Sequence, residues 1–289
     1  MAAQVNTLGE VVDAASAYLA RHGVEDARVA SEWLVAARRA IPRLELPLHR
    51  ADALSGQMLE TLRADVVRLG RGEPLQYVLG DADFRGHVFR CDPRALIPRP
   101  ETEELVQLCL DEPEIARLPA ARFADIGTGT GCIAISLVLE CRGSTCVAVD
   151  RSEDALSLAR ENAEALGVSG RVEFVRGFGA AGLEPGSCDA IVTNPPYIPS
   201  GVIPGLPRNV RDHEPHLALD GGDDGLDIAR DIARDAAIAL RKGGWIFYEL
   251  GDDQSRQFVA FLEDLGYESC SIHRDFAGIP RFVKARFPG

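Results

Sequence analysis

From Glu101 onward the chain alternates between short apolar runs and longer stretches of helical periodicity, and this alternation limits the fold more than any other feature. Strands are predicted at 121–126, 145–150, 171–175, 188–193 and 244–250, with helices at 101–111, 131–141, 152–166, 224–241 and 252–265. Regular exchange of strand and helix implies a parallel sheet covered on both faces, because a parallel crossover needs a covering segment to return the chain. Two final runs, 267–273 and 280–286, are joined by a turn alone and are expected to add an antiparallel edge hairpin. The expected class is therefore α/β, Rossmann-like and mostly parallel, with an antiparallel C-terminal hairpin.

Residues 1–74 read as a small helical bundle ahead of that sheet. Thr7 and Glu10 have capping-box spacing, and Leu8, Val11, Val12, Ala15, Tyr18 and Leu19 recur at helical intervals before Gly23 closes the helix. A second helix is expected over Asp26–Ala40, with Ala30, Trp33, Leu34 and Ala37 on its apolar side. Pro42 and Pro47 interrupt, and a third helix follows Ser55 through Met58, Leu62, Val66 and Leu69, ending near Gly70 and Gly72. Such a bundle either positions a substrate for the rest of the chain or serves as a structural lid or dimerisation arm. Residues 75–98 show strand-like alternation broken by Gly80, Gly86 and Asp92–Pro93, so a β-hairpin linker is predicted there, with the main α/β domain at 99–289.

Composition narrows the class of function. At 46% hydrophobic and 26% charged, 289 residues can bury a sizeable core, and no apolar run approaches the roughly 18 residues of a membrane helix. The first residues lack the basic start and apolar centre of a signal peptide, so a cytoplasmic protein is expected. Seven scattered cysteines without a C-x-x-C pair fit reduced thiols better than zinc or disulfides. The net charge of −13 is concentrated after residue 80, where 22 Lys and Arg face 34 Asp and Glu. Tight binding to nucleic-acid phosphates depends on cationic contacts, so a nucleic-acid partner is disfavoured.

Residues 122–133, RFADIGTGTGCI, run from a buried strand into Gly127, Gly129 and Gly131 before a helix begins. Glycine there permits unusual backbone angles and lets the chain lie against a ligand. The spacing is G-x-G-x-G, not the G-x-G-x-x-G of dinucleotide folds, which argues against NAD. Asp150 ends the next strand about 20 residues later, where an acid binds ribose hydroxyls; it would equally cap the helix starting at Ser152. Together these features favour a cofactor carrying adenosine.

The stretch IVTNPPYIP, Ile191–Pro199, delivers Asn194 from a strand into two prolines and Tyr197. Proline fixes φ and removes a donor, so the loop is stiff. The side-chain oxygen of Asn194 and the carbonyl of Pro195 are two acceptors able to hold both hydrogens of a planar NH₂ group, with Tyr197 stacked on its face.

N-P-P-Y after the fourth strand resembles the signature of class I S-adenosylmethionine-dependent methyltransferases acting on planar or exocyclic nitrogens. ALIPRPETEELV (95–106), DIGTGTGCIAI (125–135), AVDRSEDALSLARENA (148–163), NPPYIP (194–199), HEPHLALDGGDDGLDIAR (213–230), YELGDDQ (248–254) and DFAGIPRFV (275–283) follow in order. Over nearly its whole length the chain thereby resembles the HemK/PrmC family, the peptide chain release factor N(5)-glutamine methyltransferases. The resemblance implies methyl transfer from S-adenosylmethionine to the glutamine of the Gly-Gly-Gln motif of release factors. It also implies that Gly127, Thr128, Gly129, Thr130, Gly131 and Asp150 hold the cofactor, that Asn194, Pro195, Pro196 and Tyr197 hold the glutamine amide, and that Leu96 and Arg99 border the substrate entrance.

The chain departs from the family pattern at Arg176-Gly177-Phe178-Gly179, where an acid is missing and Phe178 is expected to pack on the adenine instead. It departs again at His213-Glu214-Pro215, in place of Phe-Glu-Pro. His213 and His216 lack the H-E-x-x-H spacing that sets two ligands on one helix face, so no metal is expected. Three rivals share part of the pattern: a nucleic-acid N-methyltransferase, a glutamine methyltransferase of a ribosomal protein, and a non-catalytic cofactor-binding adaptor.

Overall fold

The computed structural model describes residues 7–289; the sequence reading of the leading segment falls partly on residues 1–6, outside the described residues. Two compact units form, one from the chain up to Gly80 together with Pro207–His213, the other from Asp81–Leu206 and Glu214–Gly289.

The first unit holds helices α1 (Leu8–Arg21), α2 (Ala27–Arg39), α3 (Gly56–Gly70) and α4 (Leu75–Leu79), a 3₁₀ turn at Arg43–His49, and the short α9 (Arg208–Arg211). Helix α1 starts where its capping box places it: Glu10 N–H donates to the Thr7 hydroxyl at 3.3 Å, and Thr7 N–H donates to the Glu10 carboxylate at 2.8 Å. The first three helices close around Leu8, Leu19, Leu34 and Leu62, and full burial of such side chains stabilises by about 1.5–3 kcal/mol each.

The apolar side expected for α2 is rotated. Ser31, Leu34, Val35 and Ala36 are buried, whereas Trp33 is 44% exposed beneath the Arg43 guanidinium and Ala37 is exposed. The Ser31 hydroxyl donates to the Ala27 carbonyl at 2.7 Å, which permits its burial.

The hairpin expected to begin at residue 75 begins later, because Leu75–Leu79 is helical. Pro74 precedes the helix, Gly80 ends it at φ +88°, and its last carbonyls are occupied: Arg38 donates to Val78 at 2.8 Å and Arg68 to Tyr77 at 3.2 Å. These long-range guanidinium contacts have no local signature in the sequence. The hairpin itself is β1 (Asp81–Phe84) paired with β2 (His87–Arg90) in the second unit.

The rest of the second unit comprises α5 (Pro100–Leu110), α6 (Pro113–Ala116), β3 (Arg122–Ile126), α7 (Cys132–Glu140), β4 (Thr145–Asp150), α8 (Glu153–Ala165), β5 (Val172–Arg176), β6 (Cys188–Thr193), α10 (Asp227–Ala239), β7 (Leu240–Glu249), α11 (Ser255–Asp264), β8 (Glu268–Arg274) and β9 (Pro280–Arg286). Seven strands form one sheet in the order β5-β4-β3-β6-β7-β9-β8. The first five run parallel, and β9 pairs antiparallel with both β7 and β8. The α/β class and the antiparallel C-terminal hairpin are thus as expected. The helix predicted to reach residue 241 stops at Ala239, because Leu240 already pairs with Cys188 across a register shift that lengthens β7.

Leu105, Val106, Ile135 and Leu137 pack in one buried cluster with Phe123, while Ile232, Ala236, Phe258 and Leu262 pack in another with Tyr248. All seven cysteines are free thiols, five of them buried. The chain moves outward from β3 through β4 to β5, then returns to the other side of β3 for β6 and β7. At such a reversal the crossovers diverge, leaving a crevice beyond the carboxyl ends of the strands. Register brings those ends together, with Ile126 opposite Val149 on one side and Thr193 on the other.

Candidate active site

Three turns leave the sheet side by side at this crevice. After β3, Gly127, Gly129 and Gly131 adopt φ values of +77°, +56° and +82°, which favour glycine over residues with a Cβ. Gly127 and Thr128 N–H donate to the Val149 carbonyl at 2.8 and 3.0 Å, pinning the turn to β4. Beneath it, the buried Asp125 carboxylate accepts from the Thr128 hydroxyl at 2.6 Å and from Ala134 N–H at 3.1 Å. Burial pushes its pKa up to about 7 against the pull of those donors.

Asp150 closes the turn from the β4 side. One carboxylate oxygen accepts from Gly129 N–H at 3.0 Å, the other from Ser152 N–H at 2.9 Å. The capping role weighed for this residue is present, since its carboxylate braces the start of α8 as well as the glycine turn, and it also lines the cavity. A carboxylate oxygen accepts more than one hydrogen bond, so each retains capacity for a hydroxyl donor. Burial raises the Asp150 pKa.

The third turn is Asn194–Tyr197. Asn194 Nδ2 donates to the Thr102 hydroxyl at 3.0 Å, and that hydroxyl donates to the buried Glu249 carboxylate at 2.7 Å. The Tyr197 carbonyl accepts from Gln254 Nε2 at 2.8 Å. Burial, then the nearby Glu249 charge, pushes the Tyr197 phenol up to about 12, so it is neutral at physiological pH. The segment Asp220–Asp227 supports this turn by close backbone approach. A Cβ on Gly225 would lie 2.2 Å from the Tyr197 carbonyl oxygen, and one on Gly221 would lie 2.7 Å from that of Pro196. The motifs DGGDDGLD and YELGDDQ thus share one mechanical task, holding NPPY in place.

One cavity is lined by Leu96, Ile126, Gly127, Gly129, Val149, Asp150, Gly177, Phe178, Asn194, Pro195, Pro196 and Ile228, among others. Not every expected residue is there. Thr128 and Thr130 are buried outside that lining, Thr128 on Asp125, and Gly131 packs against Ile135 and Ala159 as the cap of α7. Arg99 also stands outside the lining, bound at 2.5 Å to the buried Glu214 of the HEPH stretch. Glu214 accepts as well from Ile97 N–H at 3.4 Å, so Ile97 and Arg99 are braced on the same buried carboxylate. Tyr197 lies beside the cavity, half-buried. Sequence reading missed Asp125, Thr102, Glu249 and Gln254; the last three reveal themselves only through partners that folding brings in, whereas the partners of Asp125 lie within nine residues of it.

His216 faces Asp220 at 4.0 Å, and among the described residues no group of three or more His, Cys, Asp or Glu is placed to hold a metal ion. No helix of the described residues is long and apolar enough to cross a membrane.

Gly225→Ala should cripple catalysis without unfolding the sheet, because a Cβ meeting backbone oxygen at φ +78° has no side-chain movement to relieve it. Strain of this kind typically costs about 1–3 kcal/mol. Thermal denaturation and turnover measured together test this, and an alanine variant with unaltered turnover would show that the support is dispensable.

Residues 10–80 match the family model for the PrmC N-terminal domain, and residues 105–202 match that for the methyltransferase small domain. The release factor glutamine methyltransferase of Geobacter sulfurreducens is 39% identical over 98% of this chain and 98% of its own length. Its namesake from Cereibacter sphaeroides is 38% identical over 96% of this chain and 98% of its own. A methyltransferase structure from Pyrococcus furiosus is similar with a TM-score of 0.52 at 19% identity, over 70% of this chain and 88% of that one, and so shares the fold. Identity of this extent over nearly the whole chain, across both units, shows that the chain belongs to the release factor glutamine methyltransferase family and is an S-adenosylmethionine-dependent methyltransferase.

Proposed function

We propose that the enzyme methylates the side-chain amide nitrogen of the glutamine in the Gly-Gly-Gln motif of peptide chain release factors, with Asn194 as the residue that presents that amide. The observation carrying this reading is that Asn194, Pro195 and Pro196 line the same cavity as the glycine turn and Asp150. A planar NH₂ group entering from the NPPY side would lie directly against whatever the glycine turn and Asp150 hold.

The residues fit an adenosyl cofactor. Gly127 and Gly129 keep the wall free of side chains, Asp150 retains lone pairs for ribose hydroxyls, and Val149, Phe178 and Ile228 offer apolar surface to a base. Phe178, 45% exposed at the end of β5, supplies a bracketing face where the usual acid is missing. When bound, S-adenosylmethionine supplies a methyl group made electrophilic by its sulfonium.

An amide nitrogen is a poor nucleophile because its lone pair is delocalised into the carbonyl. The Asn194 side-chain oxygen and the Pro195 carbonyl would accept its two N–H groups, opposing that delocalisation and aiming electron density along the transfer line. Tyr197, neutral and half-buried, would cover one face of the amide and keep water out. Catalysis then rests on orientation and preorganised dipoles. The helical unit would dock the body of the release factor, so that a folded protein is read and not merely a glutamine peptide. The acidic charge fits a protein substrate better than DNA, and the reading places the enzyme in the cytoplasm with the translation machinery.

Asp150→Ala should weaken S-adenosylmethionine by about 1.5–3 kcal/mol, the range for hydrogen bonds to a charged group. Titration calorimetry reads this directly, and unchanged affinity would remove Asp150 from the cofactor site.

For position 194, single-turnover methylation of release factor at saturating cofactor should rank Asn above Asp above Ala, with Ala slower by on the order of 10² to 10³. Asp still accepts from the amide but places full charge near the sulfonium, stabilising the ground state together with the transition state. A release factor with Gln replaced by Ala in its Gly-Gly-Gln motif, and plain DNA, should receive no methyl group. An Asn194→Ala enzyme as fast as wild type would reduce Asn194 to a turn residue.

A further inference from the structure

The chain of hydrogen bonds behind Asn194 does more than fill space. We infer that Thr102 and Glu249 are positioning residues that fix which end of the Asn194 amide faces the substrate, and that they do so only while Glu249 is ionised. This rests on the reading of Asn194 as the acceptor for the glutamine amide.

The argument is one of counting protons. Thr102 is 3% exposed and Glu249 1%, so their polar groups must satisfy one another. A threonine hydroxyl has a single hydrogen and two acceptor positions. With Glu249 ionised, that hydrogen is committed to the carboxylate at 2.7 Å, and the hydroxyl can only accept from its other neighbour, 3.0 Å away. Asn194 must then present Nδ2 to Thr102, which turns its oxygen away. The reversed amide would set oxygen lone pairs against oxygen lone pairs. Protonating Glu249 removes the constraint. A neutral carboxyl donates to Thr102, whose own hydrogen is released and can point at an Asn194 oxygen. The amide then has two arrangements, and in one of them the acceptor needed by the substrate is lost.

The surroundings allow the switch to operate near neutrality. Burial pushes Glu249 up to about 7, with Glu101 raising it further and Thr102, Arg281 and Arg99 opposing. The phenol of Tyr197 and the thiol of Cys132 also sense its charge, and both are shifted upward and stay neutral there. Transfer should therefore rise with pH as Glu249 ionises. Asp125, also lifted to about 7, lies under the glycine turn, so a change there would act through cofactor binding and is suppressed by saturation.

The test is the single-turnover rate on intact release factor between about pH 5.5 and 9, a range that brackets an ionisation near neutrality, at saturating S-adenosylmethionine. It compares wild type with Thr102→Val, Thr102→Ser, Glu249→Gln and Asn194→Ala. Cofactor affinity, measured in parallel, reports whether each variant is folded. Wild type should rise through an ionisation near neutrality. Glu249→Gln keeps an acceptor for Thr102 but cannot ionise, so its profile should be flat. Thr102→Val should slow transfer about 10- to 100-fold with cofactor affinity intact, the usual cost of losing a supporting partner, and Thr102→Ser should restore it. A wild-type pH step persisting in Glu249→Gln, or Thr102→Val as fast as wild type, would overturn the relay while an impaired Asn194→Ala left the assignment of Asn194 standing. An unimpaired Asn194→Ala would instead remove the reading on which the relay rests.

Discussion

Parallel pairing of β3 with β4 on one side and β6 on the other is the constraint from which the site follows. Because the three strands end within one residue of each other in register, the glycine turn, Asp150 and Asn194 emerge as neighbours although more than 60 residues separate the first from the last. A shift by one residue on either side would exchange every inward side chain for an outward one and separate the turns. The buried apolar strands, with Phe123, Ala124, Ala190 and Ile191 fully enclosed, are what make that register costly to change.

On this frame the protein sets three carboxylates with little solvent around them. Asp125 organises the glycine turn from below, Asp150 clamps it from β4, and Glu249 anchors the NPPY side through Thr102. Burial raises the pKa of all three. A carboxylate in such a place is held by hydrogen-bond donors whose geometry it dictates in turn, so each one converts a flexible loop into a fixed surface. The Asp220–Asp227 segment achieves the same end without charge, through glycine positions at which a side chain would overlap the backbone of NPPY. Rigidity on both sides of the crevice is what catalysis by orientation requires.

Much of this was legible in the sequence, for reasons that differ by element. The capping box at Thr7, the alternation of strands and helices, and the turns after β3 and β6 are local signals, and they fall where local chemistry puts them. The exceptions are long-range. Leu75–Leu79 coils into a helix where Arg38 and Arg68 reach its carbonyls, and Trp33, outside its helix's buried stripe, packs one face against the Arg43 guanidinium. Thr102 sits inside the ALIPRPETEELV motif, yet its hydroxyl's acceptor is a residue 147 positions away. Thr128 and Thr130, adjacent to glycines of the turn, are buried, the Thr128 hydroxyl bonding to Asp125 beneath it.

The central claim is that the crevice joins a cofactor site to an amide site and that the amide belongs to a release factor glutamine. The most direct measurement is mass-spectrometric mapping of purified release factor after incubation with the enzyme and methyl-labelled S-adenosylmethionine. The account predicts one added methyl group per protein, carried on the side-chain nitrogen of the Gly-Gly-Gln glutamine. A label found on another residue, or on co-purifying nucleic acid with that glutamine unmodified, would contradict it.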